Sequence, residues 1–457
     1  MKKVVFLISV FALAAIFFFR LNFTALESYD EAWYGEISRN LVQSGNPFRL
    51  MFNGSVFTDH PPLGFALMAV PTAMLGSNEF SVRFVSSLLG IGCALVIFFI
   101  GKELKNERVG FSAAVILLSS LWFMYRARSG NLDIPFVFWS LITFYALLKT
   151  KISLKYFYLA TFAFAALFLT KTLVGVGILP VFLYTLWLRR RKTNTLFLVK
   201  LALCWIIAVA PWYLVNQLRD STFLYHHFFE VGARGTKNAF ALSSLYQSLF
   251  YLYVGMGKWL KVGVLTAPLF IFLWWRVKKI RETLLFIILF TVGFATPFLF
   301  SNKVEIWHLI PVYSGVALFI AYILETSANY LFPKKNFVPI FVTFCITLLA
   351  VYQFSQFANL LYPSQPRFSL EKDISIKASK YSHILLMGTF YPAAVYYADK
   401  PVGPLYWEEN AYQKMVMKIA AQEGEVFIIN KQFQSMLDKD QVQYEVLESN
   451  PNYLVVR

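Results

Sequence analysis

Acidic residues are scarce in this chain. Its 457 residues include 25 Asp and Glu against 42 Lys and Arg, a formal net charge of +17. Charged residues of both signs amount to only 15%, too few to coat a soluble enzyme of this length. Cysteine is scarcer still: Cys93, Cys204 and Cys345 each lie inside an apolar run. They read as small core residues, and neither a disulfide framework nor a CxxC metal site can be built from them. There is no phosphate-binding glycine loop, no dinucleotide fingerprint and no solenoid-length repeat.

What is abundant is apolar surface. Hydrophobic residues make up 58% of the chain, with 48 Phe, a composition that fits a polytopic membrane protein. A hydrocarbon core of about 30 Å needs roughly 20 apolar residues as helix. Runs near that length fall at residues 3–20, 82–101, 110–125, 132–149, 155–170, 172–188, 196–215, 260–275, 283–300, 305–325 and 337–356. The 155–188 stretch reads as a helical hairpin with Lys171 near its turn. The first run starts like a signal peptide, but Arg20, Leu21 and Asn22 follow it where small residues should mark a cleavage site. We therefore read it as an uncleaved helix.

The basic residues settle the orientation. With Lys2 and Lys3 in the cytoplasm, the inside loops carry Lys102, Lys105 and Arg108; Lys149, Lys151 and Lys155; Arg189 to Lys192; Arg276, Lys278, Lys279 and Arg281; and Lys334 and Lys335. The outside turns carry few cations: Arg126, Arg128, Lys171 and Lys303. This positive-inside pattern explains much of the net charge without nucleic acid. It also puts the C-terminus outside. Two outer segments are long, about 21–81 and 216–258. The expected organisation is a membrane domain over 1–360 followed by an outer α/β domain over 361–457, whose strand-like runs are 383–390, 425–431 and 452–457.

This topology gathers ionisable residues on one side. Asp30, Glu31, Asp59, His60, Asp133, Lys171, His226, His227, Glu230, Arg234, Lys303 and His308 all fall at or near the outer interface. Ionisable groups at membrane depth are expensive and usually face a cavity. The segment EISRNLVQSG reads as an amphipathic interfacial helix with Ile37, Leu41 and Val42 on one face. At its start Asp30 and Tyr34 share a face at i and i+4, while Glu31 and Glu36 are also favourable as solvated acids near the helix N-terminus. In TDHPPLG, Pro61 and Pro62 stiffen the backbone that presents Asp59 and His60. A carboxylate beside an imidazole could bind a divalent metal or a phosphate. Asp133 could serve the site or simply cap its helix, and His308 could serve acceptor binding or structure. Lys171 and Lys303 could balance an anion or snorkel. The adjacent His226 and His227 point in different directions on a helix, so a shared metal is not expected. One could line the site, and a surface role fits equally well.

DEAWYGEISRNLVQSG, FTDHPPLGF and GSNEFSVRFVSSLLG, in that order, resemble the GT-C membrane glycosyltransferases. The similarity is to the protein O-mannosyltransferase-like and aminoarabinose-transferase-like branches that use polyprenyl-phosphate sugars. NLDIP, FLTK and SNKVEIWHLIPVY extend the resemblance over about residues 25–320. It implies an all-α polytopic bundle of about 11 to 13 transmembrane helices with interfacial outer-face helices and a small C-terminal α/β domain. It implies Asp30 and Glu31 as the catalytic acid pair, Asp30 being the base. Tyr34, His60, Lys171, Arg234 and Lys303 fall at donor or phosphate positions, and Asp59, with His60, at a possible metal position. Trp33 stands where the aminoarabinose branch commonly has Arg, and Glu230 to Arg234 lack that branch's histidine.

The function so implied is inverting sugar transfer from a polyprenyl phosphate to a lipid, glycan or protein acceptor on the periplasmic face of a bacterial inner membrane. No nucleotide cofactor is expected. On helical geometry Glu31 points about 100° from Asp30, so it is poorly placed as a second, nucleophilic carboxylate. A polyprenol-linked or ion-coupled transporter is an alternative, although transporters tend to place charges near the midplane and show repeated halves. An oligosaccharide ligase or polymerase on the same fold is another.

Overall fold

The computed structural model describes residues 12, 14–231, 242–299, 301, 304–335, 337–422 and 424–457. It divides into two units. One takes in residues up to Phe19, Thr58–Gly64 and Ser86–Tyr362; the other takes in Arg20–Phe57, Phe65–Val85 and Pro363–Arg457.

Long apolar runs, nearly all of them within the first unit, become helices because lipid leaves the backbone no partner but itself. Among the described residues, six helices are long and apolar enough to cross a membrane: Glu79–Leu104, Thr195–Arg219, Lys258–Arg276, Lys278–Leu299, Ile306–Leu331 and Phe337–Leu361. Glu107–Leu118 and Leu121–Ala127 make a seventh if counted together, with a 76° bend between them. The other expected spans appear as shorter helices, Asp133–Lys149 and Tyr156–Phe168, and as the helical stretch Leu173–Arg189. Lys171 lies in the break between the last two, as its charge requires. The run at 3–20 falls mostly outside the described residues. A continuous core of Phe, Leu and Ile, including Phe144, Phe290 and Phe294, joins these helices.

One span is broken and another, Lys258–Arg276, begins at a helix break after Leu242–Met256, and such breaks orphan backbone groups. One side chain serves both. Gln353, on Phe337–Leu361, donates through Nε2 to Ser119 O at the 76° bend (2.5 Å) and to Met256 O (3.0 Å). Its Oε1 accepts from Lys258 N (2.7 Å), across the second break at Gly257, where φ is +60°. The indole of Trp259 adds a hydrogen bond to Ser119 Oγ (2.8 Å).

The second unit contains several helices, a hairpin and a mixed sheet. The helix Asp30–Ser44 ends at Gly45, whose φ of +62° suits a left-handed cap. It was expected to lie amphipathically at an interface. Instead Glu31, Tyr34, Glu36, Ile37, Ser38 and Arg39 are all buried. The reason is packing against the helix Tyr391–Ala398: a Cβ on Gly35 would sit 3.1 Å from the Tyr396 ring. Arg39 donates to Tyr396 O (2.9 Å) and pairs with Glu36 and Asp399.

The hairpin of β1 (Met51–Phe52) and β2 (Ser55–Val56) is tied down by Asn53, which bonds Tyr391 Oη, Val402 O and Val402 N. Near the C-terminus, β3 (Ile384–Met387), β4 (Val402–Gly403), β5 (Val426–Asn430), β6 (Val446–Ser449) and β7 (Tyr453–Val456) form one sheet in the order β4-β3-β5-β7-β6. β3 runs parallel to β4 and β5, and β7 antiparallel to β5 and β6. The three expected strand runs became β3, β5 and β7. The edge strands β4 and β6 were not foreseen, because their apolar runs are too short to announce themselves.

Candidate active site

The stiff segment after Thr58 is held within the first unit. Leu63 N donates to Leu169 O (3.1 Å), and a Cβ on Gly64 would lie 2.3 Å from Leu132 Cδ2. The glycine of HPPLG is thus demanded by close packing. At the other end, His227 Nδ1 lies 2.8 Å from Thr58 O. A carbonyl only accepts, so Nδ1 carries the proton. His227 is 3% exposed, and burial pulls its pKa below the ordinary histidine value. In the neutral ring Nε2 accepts from Thr172 Oγ1 (2.7 Å), which lies 2.7 Å from Tyr213 Oη.

Asp59 itself is only partly covered. Its Oδ1 lies 3.3 Å from His226 Nε2, and His226 Nδ1 lies 2.6 Å from Glu230 Oε2. The two carboxylates, Glu230 foremost, raise the pKa of His226 above the ordinary value, the opposite of its neighbour. His226 to Val231 form a π-helical turn, a widened geometry common at functional sites. The two histidines do point apart, as expected.

The residues around Asp59 do not compose a metal site. Both ring nitrogens of His226 face carboxylates, so the ring is held as a donor at each. Among the described residues no group of three or more His, Cys, Asp or Glu is placed to hold a metal ion. No catalytic step is derived through one. His60, the other expected ligand, is half-buried and has a partner of its own.

A second cluster is buried in the same unit. Asp133, 3% exposed, receives Lys171 on Oδ1 and Arg126 on Oδ2, with Arg126 Nε at 2.8 Å and Nη2 at 2.5 Å. Asp133 is not the helix cap it could have been. The side chain of Asn131 caps instead, accepting from Asp133 N (2.9 Å) and Ile134 N (3.1 Å). Nor does Lys171 snorkel. Two cations thus converge on one buried carboxylate. Arg126 also faces the Trp307 ring at 5.2 Å, an attraction of cation for π-face. His308 stacks on Phe298 (5.1 Å) and its Nδ1 accepts from Glu305 N (3.1 Å).

In the second unit, Glu31 is held in a buried ion pair with Arg83. It is 3% exposed and accepts from Arg83 at both oxygens, each at 2.7 Å. Arg83 spends its remaining donors on Leu21 O, Thr24 O and Ala25 O, at 2.8 to 2.9 Å. Asp30 opens the same helix half-buried. Tyr34, 7% exposed, meets Phe65 edge-on at 5.3 Å. Arg234 and Lys303 lie outside the described residues.

Asp133 and Lys171, singled out by the sequence as isolated charges, meet each other; the sequence did not point to Arg126 and Asn131 beside Asp133, or to Thr172 and Tyr213 beside His227. Arg126 carried a signal: it is one of very few cations in the outer turns.

Residues 59–214 match the family model of the dolichyl-phosphate-mannose-protein mannosyltransferases. An undecaprenyl phosphate-alpha-4-amino-4-deoxy-L-arabinose arabinosyl transferase of Aeromonas hydrophila is 25% identical over 352 residues, 72% of this chain and 62% of that protein. The chain thus spans less than two thirds of that relative's length. The crystal structure of ArnT from Cupriavidus metallidurans bound to undecaprenyl phosphate is similar with a TM-score of 0.74 at 16% identity, covering 100% of this chain and 98% of that one. An oligosaccharyltransferase of Archaeoglobus fulgidus is similar with a TM-score of 0.63 at 12% identity, covering 94% and 69%. At such identities these structures establish a shared fold.

Proposed function

Because this chain belongs to the GT-C-fold superfamily of protein O-mannosyltransferase-like and aminoarabinose-transferase-like membrane glycosyltransferases, we propose that it moves one sugar from a polyprenyl phosphate to an acceptor hydroxyl of a lipid, glycan or protein. The outer, periplasmic side of a bacterial inner membrane is the proposed site of transfer. The carrying observation is the buried Asp133 with Lys171 and Arg126 upon it. Ionisable groups gathered among apolar helices usually serve a binding site, and a lipid-linked phosphate is an anion that a lysine so placed could meet.

In this reading the acceptor oxygen attacks the anomeric carbon. The bond from that carbon to the phosphate oxygen breaks, its electron pair leaving with the polyprenyl phosphate. The acceptor proton passes to the Asp30 carboxylate, which acts as general base. Lys171 stabilises the charge that develops on the leaving phosphate, and Asp133 holds Lys171 in place. Tyr34, His60, Arg234 and Lys303 are assigned to donor binding, and His308 to the acceptor side or to structure. Retention would need a nucleophilic carboxylate near the base. Glu31, next to Asp30 in sequence, has both oxygens occupied by Arg83, which supports a single inverting displacement.

The test is a transfer assay in membranes carrying the protein, with radiolabelled sugars on undecaprenyl phosphate. Label should enter a lipid, glycan or protein fraction, and Lys171→Met should reduce it by at least about tenfold. No transfer from any such donor would return the chain to the transporter reading.

A further inference from the structure

The histidine beside His226 has no place in the chemistry just described, yet it is buried and bonded at both nitrogens. Consider what it joins. Its Nδ1 holds the carbonyl of Thr58, the residue before Asp59. Its Nε2 holds the hydroxyl of Thr172, the residue after Lys171. Those two segments also meet directly, through Leu63 N and Leu169 O. Each segment carries one charged group of the site: Asp59 toward His226, and Lys171 on Asp133.

We infer that His227 is a positioning residue, a two-ended clamp that sets the Asp59 segment and the Lys171 segment in fixed register. The inference rests on the proposed sugar transfer for its functional meaning, though the clamp itself does not. Packing fixes the ring: Phe223 stacks on it at 5.5 Å, and Trp212, Tyr213 and Phe228 meet it edge-on. Donor and acceptor sense fixes the proton. Tyr213 Oη lies beside Thr172 Oγ1, so the threonine hydroxyl can accept from the tyrosine while it donates to the imidazole. The chain then runs Tyr213 to Thr172 to His227 to Thr58, each group donating to the next, and a polar chain satisfied at every member rigidifies what it links. The one-residue offsets also matter. Backbone or hydroxyl groups are clamped beside the two charged residues, leaving the Asp59 carboxylate and the Lys171 ammonium to their own partners.

The full-length protein in lipid nanodiscs tests this with two readouts. The first is hydrogen–deuterium exchange over 58–64 and 169–172. His227→Phe keeps the ring packing and loses both bonds, so the Leu63 amide and both segments should exchange at least about tenfold faster. His227→Asn, whose amide nitrogen falls near Nδ1, should protect the Thr58 side alone. His227→Gln, reaching toward Nε2, should protect the Thr172 side alone. The second readout is affinity for undecaprenyl phosphate per folded molecule, which should fall roughly tenfold in His227→Phe and recover in part in the other two. Exchange unchanged in His227→Phe overturns the clamp. Faster exchange with wild-type affinity per folded molecule reduces it to a structural contact and overturns the positioning role. Faster exchange in a protein whose wild type binds no undecaprenyl phosphate leaves the clamp standing and removes the donor from the proposed function.

Discussion

Glu31 and Asp59 both belong to motifs that a sequence reader singles out, and their surroundings are opposites. Glu31 is buried, with each oxygen on the Arg83 fork. Asp59 retains 33% of its side-chain exposure and touches one histidine, itself 38% exposed, at 3.3 Å. The first carboxylate is committed to holding a chain segment; the second keeps room for something else. Burial with complete pairing marks an ion pair that supports the fold, since removing either partner strands a charge. Partial exposure with a long contact marks a group whose energetic value to the fold is small. An acid in a motif is therefore not automatically an acid in the chemistry.

The sharpest way to break this contrast is at Glu31. Glu31→Ala would leave Arg83 buried without its counter-charge and should cost about 3–5 kcal/mol, read as a drop in thermal stability. Asp59→Ala should cost under about 1 kcal/mol in the same measurement. Equal losses at both positions would erase the distinction. A comparable loss, spread over three backbone groups, is expected at Gln353. Gln353→Leu strands the carbonyls of Ser119 and Met256 and the N–H of Lys258, about 1–3 kcal/mol for each group left unsatisfied. Faster exchange at the Lys258 amide would locate that loss at the second break; a wild-type exchange rate there would show that the break does not need the amide.

The smallest effect sharpens the other side of the comparison. The pKa of His226 is raised, chiefly by the Glu230 carboxylate and also by Asp59. A raised histidine pKa means the protonated ring is favoured by folding. That contribution is complete below the unfolded value of about 6.5 and fades as pH rises through the higher folded value. Among the described residues, Glu230, Asp59, Asp220 and the neighbouring His227 are titratable groups that act on it. An NMR titration of the His226 ring should therefore show a midpoint above the ordinary value in the wild type and closer to it in Glu230→Gln. A midpoint below it would contradict the contact.

Much of the fold was legible because lipid imposes a simple rule. Apolar runs of sufficient length become helices, and nearly every such run in the described residues did. Helix breaks were not legible, since what permits them is remote. Ser119 and Gln353 are 234 positions apart, and no local pattern announces that pairing. The same limit governed the site. Pro61, Pro62 and Gly64 declared a rigid segment, and packing explains the glycine. Asp133 and Lys171 were each visible as isolated charges, but their union spans 38 positions and required the turn after Phe168. The helix Asp30–Ser44 misled because its polar residues suggested water. Its burial comes from Tyr391–Ala398, far along the chain, and Glu31, expected to share in the chemistry, is paired with an arginine 52 residues away.

The most direct test of the account is transfer by Asp30→Asn compared with Asp59→Asn, measured per folded molecule with a labelled undecaprenyl-phosphate sugar. Loss of the general base should reduce transfer by about 10²–10⁴-fold at unchanged thermal stability, with the weaker loss at Asp59. Transfer by Asp30→Asn at the wild-type rate would contradict the assignment of the base and leave this motif acid, like Glu31, to the fold.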